Sequence, residues 1–198
     1  MKLKSLALLF AVVGLAATQT PTLGLSDGFI SLDTPTFSVQ LVKDSQTLYS
    51  LSAKSSSFNF VPTDQMTLRQ YNGNYHLGDI TFRVRTVGST SWISGDTSTA
   101  RKTITALPAS GSTLAAASLA PTLSSTSPLN ITRRWVVANN SFQLLFDVSN
   151  PGKSSLEIGS LGAPLEFNNV SSETALETIQ TIEKTFPDLY EQRCYRHQ

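Results

Sequence analysis

The run from Asn130 to Val148 limits what this chain can fold into more than any other stretch. Ile131, Trp135 and Val137 alternate with Thr132, Arg134 and Val136, and then Phe142, Leu144, Phe146 and Val148 alternate with Gln143 and Asp147. A period of two sends successive side chains to opposite faces of an extended strand, so each run presents an apolar face and a more polar one. Asn139-Asn140 lies between the runs, and Asn tolerates the positive φ that a two-residue turn demands. The stretch predicts an antiparallel hairpin. Asn150-Pro151-Gly152 ends it, Leu156 to Ile158 reads as a third strand, and Gly159 to Pro164 closes the unit.

The rest of the chain repeats this texture in shorter pieces. Gly28 to Leu32, Phe37 to Leu41, Leu48 to Leu51, Phe58 to Phe60, Ile80 to Val87, Thr103 to Leu107 and Leu114 to Leu119 read as strands. Lys43 to Gln46, Gly88 to Thr90 and Gly95 to Ser98 read as turns, with Trp92 and Ile93 between the last two, and Ala120 to Pro128 as an exposed connection. About ten short strands at this spacing predict an all-β fold, an antiparallel β-sandwich. With 198 residues, 40% hydrophobic and 15% charged, the chain is long and apolar enough for one domain with a core.

The two ends differ from the middle. Residues 1–18 are laid out as a signal peptide: Lys2 and Lys4, an apolar run from Leu6 to Leu15, then Ala16, Ala17 and Thr18 at a cleavage site. The run is shorter than the roughly 20 residues of a spanning helix. Secretion is the expectation, with the β-sandwich over 19–170. Removing Lys2 and Lys4 takes the formal charge from +1 to −1, which leaves no basic field for nucleic acid or an anionic membrane. Asn130-Ile-Thr132, Asn139-Asn-Ser141 and Asn169-Val-Ser171 are N-glycosylation sequons for such a chain. From Ser171 a tail follows in which Thr174 and Glu177 form a capping box and Leu176, Ile179, Ile182 and Phe186 fall at helical intervals, until Pro187. Residues 171–198 therefore predict one C-terminal helix with a loose end. Cys194, the single cysteine, forms no internal disulfide or Cys-based zinc site.

The chain holds no Gly-rich phosphate loop, no paired-His metal motif and no nucleophile elbow, so no catalytic residue, metal or cofactor is expected. Asp79 and Glu166 are only nominal carboxylate candidates. What breaks the strand pattern is the long loop from Asp64 to Asp79, which gathers Tyr71, Asn72, Asn74, Tyr75, His76 and Asp79. Long loops inside small domains tend to carry function. Aromatic faces stack on sugar rings and Asn or Asp side chains bind hydroxyls, so these six are the candidate residues for a polysaccharide or oligosaccharide partner. The plainer use of Tyr71 and Tyr75 is to pack the loop onto the sheet, and that use is the commoner. Arg133, Arg134 and Trp135 could flank a groove; a strand Trp with an Arg stem beside it more often belongs to the core. Nothing here sets an oligomeric state.

Four segments also carry a resemblance: Gly24 to Ile30, Arg69 to Arg85 (Arg-Gln-Tyr-Asn-Gly-Asn-Tyr-His-Leu-Gly-Asp-Ile-Thr-Phe-Arg-Val-Arg), Asn130 to Val137, and Glu157 to Asn169. Together they resemble the N-terminal part of a family of large secreted fungal proteins of unknown function, treated as glycoside-hydrolase-like. The resemblance spans residues 24–169. It implies a super-sandwich of the galactose-mutarotase-like kind that precedes a helical six-hairpin toroid, with the catalytic carboxylates on the toroid and the sandwich as accessory. It assigns no catalytic residue to this chain. After Asn169 the resemblance stops, so the tail reads as atypical. Either the chain is a truncated product lacking the toroid, or it is a short paralogue whose tail helix covers an open sheet edge.

Overall fold

The computed structural model describes residues 20–55 and 58–165. The leader, Glu166, Asn169, the tail with its expected helix and Cys194 lie outside them. The described residues form ten strands: β1 Phe29–Asp33, β2 Phe37–Val42, β3 Leu48–Ala53, β4 Thr81–Thr86, β5 Ile93–Asp96, β6 Thr105–Leu107, β7 Thr113–Ser118, β8 Asn130–Ala138, β9 Ser141–Ser149 and β10 Leu156–Gly162. Every pairing is antiparallel. The strands make three sheets, ordered β1-β2-β3, β10-β4-β5 and β6-β7-β8-β9. The all-β, sandwich-like fold is as expected.

The expected hairpin is the longest pairing, Asn130 opposite Ser149 through Ala138 opposite Ser141. Asn139 and Asn140 turn it at φ 51° and 59°. Two positive φ values in succession match the right-handed twist of the flanking strands. Two expectations fail locally. Phe58 to Phe60 is no strand: only an isolated bridge joins Ser52 to Asn59, and the two Phe rings meet edge-on at 5.1 Å. Phe60 N–H donates to the Leu51 carbonyl at 2.8 Å, but Asn59 Oδ1 accepts the N–H groups of Leu51 and Val61, so a side chain takes the place of further ladder bonds there. Conversely, Gly95 and Asp96 belong to β5 rather than to a turn. A Cβ on Gly95 would sit 2.5 Å from the ring of Phe82, so this glycine lets an aromatic ring cover the strand.

The sandwich is uneven. The four-stranded sheet is one layer, and the other two sheets lie side by side on it. One core cluster joins Val39, Leu41 and Leu48 of the first sheet to Ala115 and Trp135. The second joins Phe82 and Val84 to Ala117 and Ile131. Strand β8 thus passes under both: Ile131 in one cluster, Trp135 in the other, and Arg133 between them on the same face. Position 133 is where the two smaller sheets meet over the larger one.

Candidate functional site

At that junction the core is polar. Arg133 is 1% exposed, and its guanidinium donates to the carbonyls of Gly78, at 2.7 Å, and Ser45. One carbonyl ends the long loop and the other lies in the β2–β3 turn, so one side chain of the third sheet ties the first two together. Burial pushes the Arg133 pKa down to about 10, while the nearby Asp79 charge works the other way. Gly78 adopts φ 112°, and a Cβ there would come within 3.0 Å of the Arg133 guanidinium and 3.1 Å of the Trp135 ring. Trp135 Nε1 donates to the Gln46 carbonyl at 2.9 Å, and its ring stacks on Phe142 at 5.2 Å. Arg133 and Trp135 are core residues, whereas Arg134 faces outward and pairs with Asp147 at 2.6 Å.

Asp79 is 0% exposed and every close partner holds its charge in place. Arg101 Nη1 donates to Oδ1 at 3.0 Å and Nη2 to Oδ2 at 2.7 Å. The Thr97 hydroxyl donates to Oδ1 at 2.7 Å and the His76 backbone N–H to Oδ2 at 2.8 Å. A buried carboxylate needs this many donors, because stripping its water is costly. Arg101 Nη2 also donates to the Asn74 carbonyl at 3.1 Å, and the Arg101 backbone N–H donates to Asn72 Oδ1 at 3.1 Å. His76 is 2% exposed and its Nε2 donates to the Arg69 carbonyl at 2.9 Å. Burial first, and then the Arg101 charge, lower its pKa below the usual histidine value.

Of the six loop candidates, the structure therefore turns His76 and Asp79 inward. Asn72 and Asn74 hold Arg101, one through its side chain and the other through its carbonyl. Tyr71 and Tyr75 are half-buried along the loop, and the Tyr75 carbonyl accepts from Arg69 Nη2 at 2.7 Å. The organising partner, Arg101, has no signal in the sequence: it lies in a turn-rich segment without alternation, 22 residues from Asp79. Asn130 and Asn139 are both exposed, at the start of β8 and in the turn that follows it.

Arg101 also forms part of a wall of a cleft of about 380 Å³. Thr22, Ser26, Asp27, Asp44, Gln70, Lys102 and Thr103 supply the rest of its polar lining. The Gln70 carbonyl accepts the N–H groups of Thr22 and Leu23 at 2.8 and 3.0 Å, which clamps the N-terminal segment against the loop. Thr103 Oγ1 donates to Asp44 Oδ2 at 3.1 Å, fixing the opposite corner. The lining offers carboxylate, hydroxyl, amide, guanidinium and ammonium groups beside Pro21 and Leu25. Among the described residues no three His, Cys, Asp or Glu side chains gather as a metal-binding group.

Residues 40–191 match the family described as Family of unknown function (DUF5695). The match continues past Asn169 through most of the tail, where the resemblance drawn from the sequence had stopped. No curated protein and no solved structure matches the chain.

Proposed function

The chain belongs to this family of unknown function, and we propose that it is a secreted, N-glycosylated accessory module of carbohydrate processing, binding a saccharide without hydrolysing it. The observation that carries the reading is the polar cleft between Thr22 to Asp27 and Gln70 to Thr103. Its volume of about 380 Å³ lies within the roughly 300–1,000 Å³ of small-molecule sites. Its walls are pinned by the bonds at Gln70, Arg101 and Thr103, so binding orders little that is not already ordered. The only fully buried acid of the loop, Asp79, is committed to Arg101, which supports a binding rather than a hydrolytic role. The choice of carbohydrate rests on the resemblance read in the sequence from Arg69 to Arg85.

A second reading, a structural or cell-surface β-sandwich without a ligand, has its own support. His76 and Asp79, the most chemically capable loop residues, are spent on the fold. A glycan array with the secreted protein separates the two readings: selective retention of an oligosaccharide supports the first, and retention of none supports the second. Polysaccharide hydrolysis by the same preparation would overturn the non-catalytic assignment. Mass spectrometry tests the rest: a chain starting after Thr18 with glycan on Asn130 or Asn139 is expected, and an intact unglycosylated leader-bearing chain contradicts it.

A further inference from the structure

One side of the sandwich presents its core face to solvent. On β10, Ile158 lies opposite Val84 and Leu161 opposite Phe82. Partners directly across a ladder share a face of the sheet, and a bulge at Gly159 keeps both residues in phase with it. Val84 and Phe82 are 0% and 4% exposed, yet Ile158 is 59% and Leu161 50% exposed. The outer face of the same strand is accounted for: Glu157 pairs with Arg85 at 2.5 Å, and the Trp92 ring packs against Gly159, with Arg83 and Arg85 guanidiniums 4.7 and 4.5 Å from its centroid. The exposed apolar side chains of β10, Ile158 and Leu161, are therefore both on the inward side. The neighbouring edge is similar. Phe146 and Val148 of β9, with Leu156 of β10, are only partly buried against the cluster that holds Phe82 and Val84.

We infer that residues 174–186 of this chain dock as an amphipathic helix along the seam between β9 and β10. Strands β9 and β10 are each the edge of their sheet among the described residues, so neither carries a neighbouring strand on that side. The chain leaves β10 beside it, and Leu165, at the end of the described residues, is 63% exposed. Leu176, Ile179, Ile182 and Phe186 form one stripe at helical spacing, the complement of an apolar seam. Eight residues, 166–173, separate Leu165 from the start of this segment, enough to reach about 30 Å if extended, several strand widths at about 4.8 Å each. The family match runs to residue 191, so this segment lies within the region the family shares. The inference is independent of the saccharide reading.

Hydrogen exchange on the full chain tests it without any substitution. Amides of residues 176–186 are expected to be protected, together with those of β10. The pair Ile179→Asp and Ile182→Asp should lower protection of both segments by at least about tenfold and raise binding of an apolar dye, while amides of β2 and β8 keep theirs. Substituting Ile158→Ser and Leu161→Ser should release 176–186 in the same way. Exchange of 176–186 at the rate of an unfolded chain in the unsubstituted protein would overturn the inference. So would a concentration-dependent dimer that protects β10 but not 176–186, since the seam would then take a second copy.

Discussion

Arg101 and Asp79 meet face to face in a two-pronged ion pair, at 2.7 and 3.0 Å, with both side chains no more than 2% exposed. The pair forms where two small sheets abut over a third, and it fastens the long loop to the segment that follows β5. A buried pair is not an economical source of stability, because desolvation offsets most of its attraction, but losing one partner strands the other. Asp79→Ala or Arg101→Met should therefore cost about 3–5 kcal/mol. Thermal melts of the two variants check this, and a change below about 1 kcal/mol for either would remove the pair from its structural role.

His76 makes stability depend on pH. Its folded pKa is lowered by burial and by Arg101, so between that value and the unfolded value near 6.5 the unfolded chain binds a proton that the folded chain refuses. Stability from this group is complete above about pH 6.5 and falls as pH drops toward the folded pKa. Urea titrations from pH 7.5 to 5 should show the decline, and His76→Gln should flatten it.

Much of the fold was legible because it rests on local periodicity. Alternation from Ile131 to Val148 and the Asn139-Asn140 turn identify the hairpin, and Phe82 with Val84 mark β4. The loop was legible as an exception to that pattern, though not for its use. Its polar groups point inward because Arg133, read in the sequence as one of a possible groove-flanking set, sits beneath it, and because Arg101 arrives from a segment without pattern. Long-range polar pairing leaves no period to read. The cleft escaped for the same reason: Ser26, Asp44 and Lys102 come from three separate segments outside the strands. Gly95 misled because a glycine under an aromatic ring looks, in sequence, like a glycine in a turn.

The hairpin turn offers a local test. Asn139 and Asn140 hold φ 51° and 59°, a region that costs a β-branched residue about 1–2 kcal/mol. Asn140→Gly should leave the melting temperature unchanged or raise it, and Asn140→Val should lower stability by about that amount. Equal effects of the two substitutions would mean that the turn conformation is not what the site requires.

Packing across β4, β5 and β10 should respond to a single methyl group. A Cβ on Gly159 would lie 2.6 Å from the Trp92 ring, which the two arginines flank. Gly159→Ala should displace the indole and alter its emission spectrum. It should cost about 1–3 kcal/mol as an overpacking change. An unchanged spectrum with unchanged stability would show that the ring does not rest on the bulge.

The saccharide reading is tested most directly by calorimetric titration of an array-selected oligosaccharide into the unsubstituted protein and three variants. Asp27→Ala and Gln70→Ala alter the cleft, while Trp92→Ala alters the remote face of β4. Losing a hydrogen bond to a charged side chain costs about 1.5–3 kcal/mol, so Asp27→Ala should weaken binding by about tenfold or more. Gln70→Ala should weaken it in the same direction, and Trp92→Ala should leave Kd as it was. Binding that survives both cleft substitutions and disappears with Trp92→Ala would contradict the account and place the ligand on the Arg83–Trp92–Arg85 face instead.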